Sequence, residues 1–173
     1  MLYSVAFVEQ MHSIDRPLQE CIDFQYKYTN LEPGFAHFYR WAKASNVPVI
    51  VLSGGVEPMI RALLSKLLGP TEAAEIEIIS NEVMALSGDE IVSDRDWKVK
   101  LHDDSPFGMD KSVHIRRYAE KLYDIPVSER PALLFAGDGV SDLCAARSTD
   151  LLFAKSGKGI EMLPQSSWVQ AEC

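Results

Sequence analysis

Two short apolar runs constrain the fold of this chain more than any other feature of its sequence. Residues 47–53 (VPVIVLS) and 131–138 (PALLFAGD) are rich in apolar side chains, and a glycine follows each run directly. A strand that is apolar on both faces is typical of a parallel sheet with helices on both sides. Weaker runs at residues 74–80 and 150–155 predict two further strands.

Helical periodicity separates these runs. Apolar side chains recur at three- and four-residue spacing in residues 32–45, 57–69 and 110–123. In the first of these segments we expect Phe38 and Trp41 to belong to the core. Strands that alternate with helices predict an open, mostly parallel α/β sheet with helices on both faces.

The region before the third helix has a different pattern. Residues 82–108 alternate polar and apolar side chains and contain several turn-forming residues. This pattern predicts a hairpin excursion that runs into a loop.

The net charge and the lengths of the apolar runs argue against a nucleic-acid-binding protein and against a membrane-spanning one. The net charge of −8, without a Lys/Arg-rich stripe, argues against nucleic-acid binding, because phosphates would be repelled. No apolar run is as long as a membrane span. Three widely spaced cysteines (Cys21, Cys144, Cys173) predict reduced thiols, and the N-terminus lacks a basic leader. We therefore expect a cytoplasmic protein with no nucleic-acid and no membrane partner.

Polar motifs occur where open α/β sheets bind their ligands, at the carboxyl ends of strands. Ser53 and Gly54 end one strand and precede a helix, so a hydroxyl and backbone N–H groups can face an anion. Asp138 ends another strand and Asp142 follows one helical turn later, so both carboxylates can point the same way. Adjacent carboxylates repel each other unless a cation lies between them, and oxygen ligands suit Mg²⁺. Lys111 is placed to neutralise a phosphate.

Three ordered segments carry a resemblance to a known family. VIVLSGG (49–55), DKS (110–112) and GDGVSD (137–142) resemble the second, lysine and fourth motifs of the haloacid dehalogenase superfamily of phosphatases. The likeness runs from about residue 31 to about residue 159 and is greatest to the phosphoserine-phosphatase-like branch, which includes the methionine-salvage phosphatases. It implies a Rossmann-like sheet and Mg²⁺-dependent hydrolysis of a small phosphorylated metabolite.

The resemblance also implies a role for each matching residue. Ser53 and the Gly54 amide would bind the phosphate. Lys111 would bind the phosphate as well and screen its charge from that of the nucleophile. Asp138 and Asp142 would hold Mg²⁺. In the family the attack on phosphorus comes from an aspartate, which forms an aspartyl-phosphate that water then hydrolyses.

That aspartate belongs to a first motif, Asp-x-Asp, at the tip of the family's central strand. No such motif precedes the second motif here. The literal match, Asp94-Arg95-Asp96, lies in the predicted hairpin and is expected to be a solvated turn, and Asp23 is expected to lie on a helix surface. The resemblance therefore implies that the central first strand is missing or replaced and that independent catalysis is impaired.

The N-terminal segment leaves two interpretations open. Residues 1–30 are expected to form a truncated helical cap remnant, ahead of an α/β core over residues 31–173. Alternatively, residues 2–8 form a strand that replaces the missing one and places Glu9 at its carboxyl end as a surrogate nucleophile. A glutamate reaches one methylene further than an aspartate, so such a site would be slow.

These patterns lead to hypotheses from different classes. The first is a Mg²⁺-dependent phosphatase of a small phosphorylated metabolite, with impaired activity. The second is a non-catalytic pseudophosphatase that binds phosphate or a partner and completes its sheet as a homo-oligomer or with a strand-donating chain. A third is a small-molecule binding module unrelated to phosphate.

Overall fold

The computed structural model describes residues 3–86, 95–139 and 142–158. The chain forms two compact units, Met1–Met109 and Asp110–Cys173. The elements of the first unit are α1 (Tyr3–His12), α2 (Leu18–Tyr28), α3 (Gly34–Ala44), β1 (Ile50–Val56), α4 (Glu57–Leu68), α5 (Pro70–Ala74), β2 (Glu77–Ala85) and β3 (Trp97–Lys100). Those of the second unit are α6 (Lys111–Glu120), β4 (Leu134–Gly137), α7 (Asp142–Ala146) and β5 (Leu151–Ala154).

The sheet of the first unit combines a parallel and an antiparallel pair in the order β1-β2-β3. Strand β1 pairs in parallel with β2, with Ser53 opposite Ser80. Strand β3 pairs antiparallel with β2, with Ala85 opposite Trp97. This antiparallel pairing lies within residues 82–108, where the sequence predicts a hairpin excursion. Residues 87–94, which include Asp94 of the literal Asp-x-Asp match, lie outside the described part of the chain.

Apolar side chains cover both faces of this sheet. Successive side chains of a strand point to opposite faces, and the two clusters divide accordingly. One cluster consists of Ala36, Tyr39, Leu68 and Ile76, with Phe35, Val49, Val51, Leu64, Leu67 and Ile78 packed against it. The other consists of Val56, Trp97 and Val99, with Phe7, Met11, Leu18, Cys21, Met59, Val83 and Leu101 packed against it. Helices therefore lie on both faces, as the apolar runs predicted.

Fewer aromatic side chains of helix α3 pack into the core than the sequence predicts. Tyr39 and Ala42 are buried, but Phe38 and Trp41 are 47% and 59% exposed. The prediction that these two side chains belong to the core is wrong. The packed face contains Phe35, Ala36 and Tyr39, and the other two aromatic rings lie beside it and contact each other, with centroids 6.2 Å apart.

The N-terminal segment is helical, which corrects the alternative of a strand over residues 2–8. In α1 the side chains of Phe7 and Met11, one helical turn apart, pack against the cluster around Trp97. The backbone N–H of Ser4 donates to the carbonyl of Pro106 at 2.9 Å. Glu9 is an exposed residue within this helix and does not follow a strand, so the geometric reason for choosing it as a surrogate nucleophile is removed.

The second unit has a parallel strand pair, with Leu134 of β4 opposite Leu151 of β5. Helix α6 lies within the predicted helical segment 110–123, and Asp110 caps it, since its carboxylate accepts the N–H of Ser112 at 2.8 Å. Strands β1, β2, β4 and β5 thus match the predicted runs in type and order. The domain division after residue 30 and the missing central strand stay predictions.

Two further findings concern the class of protein. No helix in the described ranges is long and apolar enough to cross a membrane. Cys21 is a free thiol, whereas Cys144 is disulfide-bonded, so the prediction of reduced thiols is wrong for Cys144.

Replacing Trp97 should test the second cluster. Trp97 is 5% exposed, and its indole N–H donates to the carbonyl of Arg16 at 2.9 Å. We expect Trp97→Ala to lower the free energy of unfolding by about 3–5 kcal/mol, because it leaves a cavity and an unsatisfied carbonyl. The matched control Trp41→Ala, at an exposed indole, should change it by less than about 0.5 kcal/mol. Urea unfolding measures both, and equal losses would contradict the assignment of the core.

Asp150 should contribute a pH-dependent part of the stability. Arg130 Nη1 lies 2.9 Å from Asp150 Oδ2, and the Leu133 N–H donates to the same oxygen at 2.8 Å. The Arg130 guanidinium, and then this N–H, lower the pKa of Asp150 below its ordinary value of 3.8. A lowered pKa stabilises the fold above that ordinary value, and the contribution disappears as the pH falls through the pKa of the folded state.

The difference in unfolding free energy between the wild type and Asp150→Asn should therefore be constant between about pH 5 and 7 and shrink below about pH 4. Asp124→Asn, at an exposed carboxylate of the same unit, controls for the change in net charge. A difference that persists unchanged to about pH 2 would count against the ion pair as its source.

Candidate functional site

The carboxyl end of β1 carries a two-residue bulge. Ser53 pairs with Ser80 and Val56 pairs with Asn81, so Gly54 and Gly55 are extra residues in the register. The Ser53 Oγ accepts the Gly55 N–H at 3.1 Å. Only Val56 separates the bulge from the start of helix α4 at Glu57.

Asn81 holds this bulge from inside the unit. Its side chain is fully buried, and its Nδ2 donates to the Gly54 carbonyl at 2.8 Å. Its Oδ1 accepts the backbone N–H of His102 at 2.9 Å. Asn81 belongs to none of the three motifs that carry the family resemblance. One feature of the sequence could have indicated its role: an asparagine, which has a low strand propensity, directly follows the predicted strand over residues 74–80.

The bulge is open on its other side. A Cβ atom built on Gly54 would meet no heavy atom within 4 Å, whereas one on Gly55 would lie 3.2 Å from the Ser53 Oγ. A small ligand can thus approach the Gly54 backbone closely. The Ser53 hydroxyl and nearby backbone N–H groups are donors that suit an anion.

In the second unit, the carboxylate of Asp142 organises the turn from β4 to α7. Asp142 is 3% exposed. Its Oδ2 accepts the backbone N–H groups of Asp138 at 3.1 Å and of Gly139 at 3.0 Å. Its Oδ1 pairs with the Lys111 Nζ at 2.5 Å. Three donors therefore compensate one buried negative charge.

Gly137 is required by this close packing. A Cβ atom at this position would lie 2.5 Å from the Asp142 Oδ2 and 2.7 Å from its Cγ. No real side chain can take that place unless the carboxylate moves. The glycine of the GDG segment is thus explained by the space that Asp142 occupies.

The two acids predicted to bind a metal have different surroundings. Asp138 is exposed, while both oxygens of Asp142 already accept bonds from protein donors. No group of three or more His, Cys, Asp or Glu side chains that could hold a metal occurs within the residues described. Mg²⁺ commonly binds one or two protein carboxylates and keeps several waters. The donor set fits such an ion with Asp138 as a direct ligand and Asp142 as the residue that shapes the turn.

The predicted site residues are thus found in three places. Lys111, Asp138 and Asp142 come together in the second unit. Ser53 and Gly54 lie at the bulge of the first unit, and Glu9 lies on helix α1. The metal- and phosphate-binding roles of these residues stay predictions.

Comparison with known proteins agrees with the motifs. The family model of haloacid dehalogenase-like hydrolases matches residues 2–147. The chain is 42% identical over 155 residues to Pdp3-interacting factor 1 of Schizosaccharomyces pombe, covering 90% of this chain and 63% of that protein. It is 44% identical over 156 residues to the polyol phosphate phosphatase PYP1 of Saccharomyces cerevisiae, covering 89% and 62%.

A bacterial protein is more distantly similar. It is the 2-hydroxy-3-keto-5-methylthiopentenyl-1-phosphate phosphatase of Brevibacillus brevis, 28% identical over 138 residues, which cover 80% of this chain and 56% of that protein. The chain thus spans about six-tenths of the length of the curated relatives it matches.

Gly137→Ala should test the packing around Asp142. The new methyl group would collide with the carboxylate and separate it from its donors. We expect a loss of about 1–3 kcal/mol in the free energy of unfolding. Gly34→Ala is the matched control, because its Cβ atom would meet no heavy atom closer than 4.0 Å at the start of α3, and it should be neutral or slightly stabilising. Urea unfolding followed by circular dichroism measures both, and an equally tolerated Gly137→Ala would refute the close contact.

Proposed function

Because the chain belongs to the haloacid dehalogenase-like hydrolase family, we propose that it acts as a phosphatase of small phosphorylated metabolites. The Saccharomyces relative is named for polyol phosphates and the Brevibacillus relative for another small phosphate ester. The proposed substrate class is what both names share, a small phosphate monoester. Polyol phosphates are the first members of the class to test.

The observation that carries the proposal is the set of bonds around Asp142. A carboxylate that is 3% exposed, paired with Lys111 and bonded to two backbone N–H groups, holds the Asp138 side chain at the surface of a rigid turn. A purely structural turn has no need of a buried ion pair, which is costly to desolvate. The ion pair has a function if it positions the exposed carboxylate of Asp138 for a ligand, and this function explains why the desolvation cost is tolerated.

Phosphate binding is assigned to the bulge of β1. The Ser53 hydroxyl would donate to a phosphate oxygen, and the Gly54 backbone would lie against the ligand, since no side chain shields it. A phosphate carries its charge on oxygens that need donors, and a site made of one hydroxyl and backbone N–H groups supplies donors without burying a cation.

The cation-binding role is assigned to the second unit. Asp138 would hold Mg²⁺ directly, and Asp142 would keep Asp138 in place. When bound, the ion neutralises charge on the phosphoryl oxygens. The Lys111 ammonium, whose side chain is 21% exposed, places a positive charge beside the Asp142 carboxylate. A role of Lys111 in screening the charge of a phosphate is what the family resemblance implies.

A second candidate function is non-catalytic binding of phosphate or of a partner chain. Leu134, Leu151 and Phe153 share one face of the β4–β5 pair and are 55%, 49% and 55% exposed. Parallel strands are normally covered on both faces, so this apolar surface favours association. The Schizosaccharomyces relative is named for its interaction with another protein. The partner would be a second copy of this chain or a strand-donating protein.

Hydrolysis of glycerol phosphate by the purified 173-residue chain tests the first candidate. Release of inorganic phosphate should require Mg²⁺ and fall at least about tenfold in Asp138→Asn. Asp124→Asn, which removes an exposed acid of the same unit outside the site, should keep the wild-type rate. The fall in Asp138→Asn also excludes a contaminating phosphatase, because neither substitution would affect the activity of a contaminant.

The same samples separate the two candidates. A folded chain that binds inorganic phosphate but releases none from glycerol phosphate would replace the first candidate with the second. In that case light scattering should give more than the monomer mass. A monomer that neither binds phosphate nor hydrolyses the ester would contradict both.

A further inference from the structure

We infer that Asn81 is a positioning residue for phosphate binding, because it orients the Gly54–Gly55 peptide and through it the donor of Ser53. The inference rests on the proposed function, since it concerns the phosphate site at the end of β1. It assigns a role to a side chain outside the three motifs that identify the family.

The peptide between Gly54 and Gly55 is a rigid plane that is held at both ends. A trans peptide directs its C=O and its N–H to opposite sides, and the described chain contains no cis peptide bond. The Gly54 carbonyl accepts from the Asn81 Nδ2 at 2.8 Å, and the Gly55 N–H donates to the Ser53 Oγ at 3.1 Å. If Asn81 released the carbonyl, the plane could rotate and the N–H would leave Ser53.

This arrangement determines what the Ser53 hydroxyl can do. A serine hydroxyl has one proton and two acceptor positions. The Gly55 N–H occupies one acceptor position, and no hydrogen bond donated by the Ser53 hydroxyl occurs within the described residues, so its proton is left for a ligand. An anion such as phosphate accepts that proton, and a cation cannot. Asn81 therefore acts through Gly55 to favour an anion at this position.

Asparagine suits the position because its amide donates and accepts at once. Gly54 has no partner residue in the register of β1 with β2, and the Nδ2 of Asn81 donates to its carbonyl. The Oδ1 accepts the backbone N–H of His102, which also donates to the Gly108 carbonyl at 2.9 Å. Full burial and bonds on both sides leave the amide one orientation.

The neighbouring loop supports this orientation. The N–H of Asp103 donates to the same Gly108 carbonyl at 3.1 Å, and the Nδ1 of His102 lies 3.1 Å from the Ser80 carbonyl. Gly108 has a φ of +75°, a conformation that other residues rarely adopt. The loop after β3 therefore closes on itself and holds the His102 N–H against Asn81.

A double-mutant cycle on phosphate affinity tests the inference. Asn81→Leu keeps the approximate size of the side chain and adds no charge, but it removes the donor to Gly54 together with the acceptor for His102. Asn81→Leu and Ser53→Ala should each weaken the binding of inorganic phosphate about tenfold, as expected for the loss of a hydrogen bond to a charged group. If Asn81 acts through Ser53, the double variant should also be weakened only about tenfold, because the second change removes nothing further.

Additive losses of about a hundredfold in the double variant would overturn the inference, because they would mean that Asn81 acts independently of Ser53. Wild-type affinity in Asn81→Leu would overturn it as well and leave the proposed function intact. No phosphate binding by the wild type would overturn the proposed function together with the inference. Ser80→Ala removes a neighbouring hydroxyl that is 4% exposed and bonded to the Asn81 carbonyl, and it should bind phosphate normally.

A measurement on the wild type keeps the inference testable should Asn81→Leu fail to fold. Titration with inorganic phosphate should shift the NMR signals of the Gly55 amide and of the Asn81 side-chain amide together, because one peptide plane connects them. Shifts at Gly55 with an unchanged Asn81 side chain would show that the two are not coupled, and the inference would be abandoned.

Discussion

The buried carboxylate of Asp142 is the interaction on which the site of the second unit depends. A charged group that is buried away from water destabilises the fold by several kcal/mol unless an opposite charge or hydrogen-bond donors compensate it. Here the Lys111 ammonium and two backbone N–H groups compensate it. The turn after β4 cannot move without uncovering the charge, and Gly137 cannot carry a side chain without displacing it. One desolvated group thus connects α6, β4 and α7.

In the first unit, a neutral side chain rather than a charged one holds the backbone in place. At the end of β1 the pairing register with β2 shifts, and the buried Asn81 amide donates to the carbonyl of Gly54 within that shift. A neutral amide costs less to bury than a charge and still fixes an orientation when both of its ends are bonded. In both units, a buried polar side chain holds backbone that would otherwise be free, at the edge of a sheet where ligands of this fold class bind.

Some elements followed from the sequence and others did not. Strands β1 and β4 lie in contiguous apolar runs, and α4 begins with Pro58 in its first turn and ends at Gly69, as caps and stops predict. The N-terminal segment was ambiguous, because a short apolar stretch fits the periods of both a helix and a strand. The packing of Phe7 and Met11 against the cluster around Trp97 stabilises the helical conformation of this segment. The exposure of Phe38 was missed because helical spacing alone does not give the width of the packed face.

The sequence by itself determined the order of strands and helices and the kinds of residue at the strand ends. These depend on neighbours along the chain, whose spacing is visible in the sequence. The tertiary structure alone decided which partners the polar groups have. Asp142 pairs with Lys111, 31 positions away, and Asn81 binds Gly54, 27 positions away. Such pairings depend on how elements pack and on which groups lose their water, and no local pattern in the chain records either.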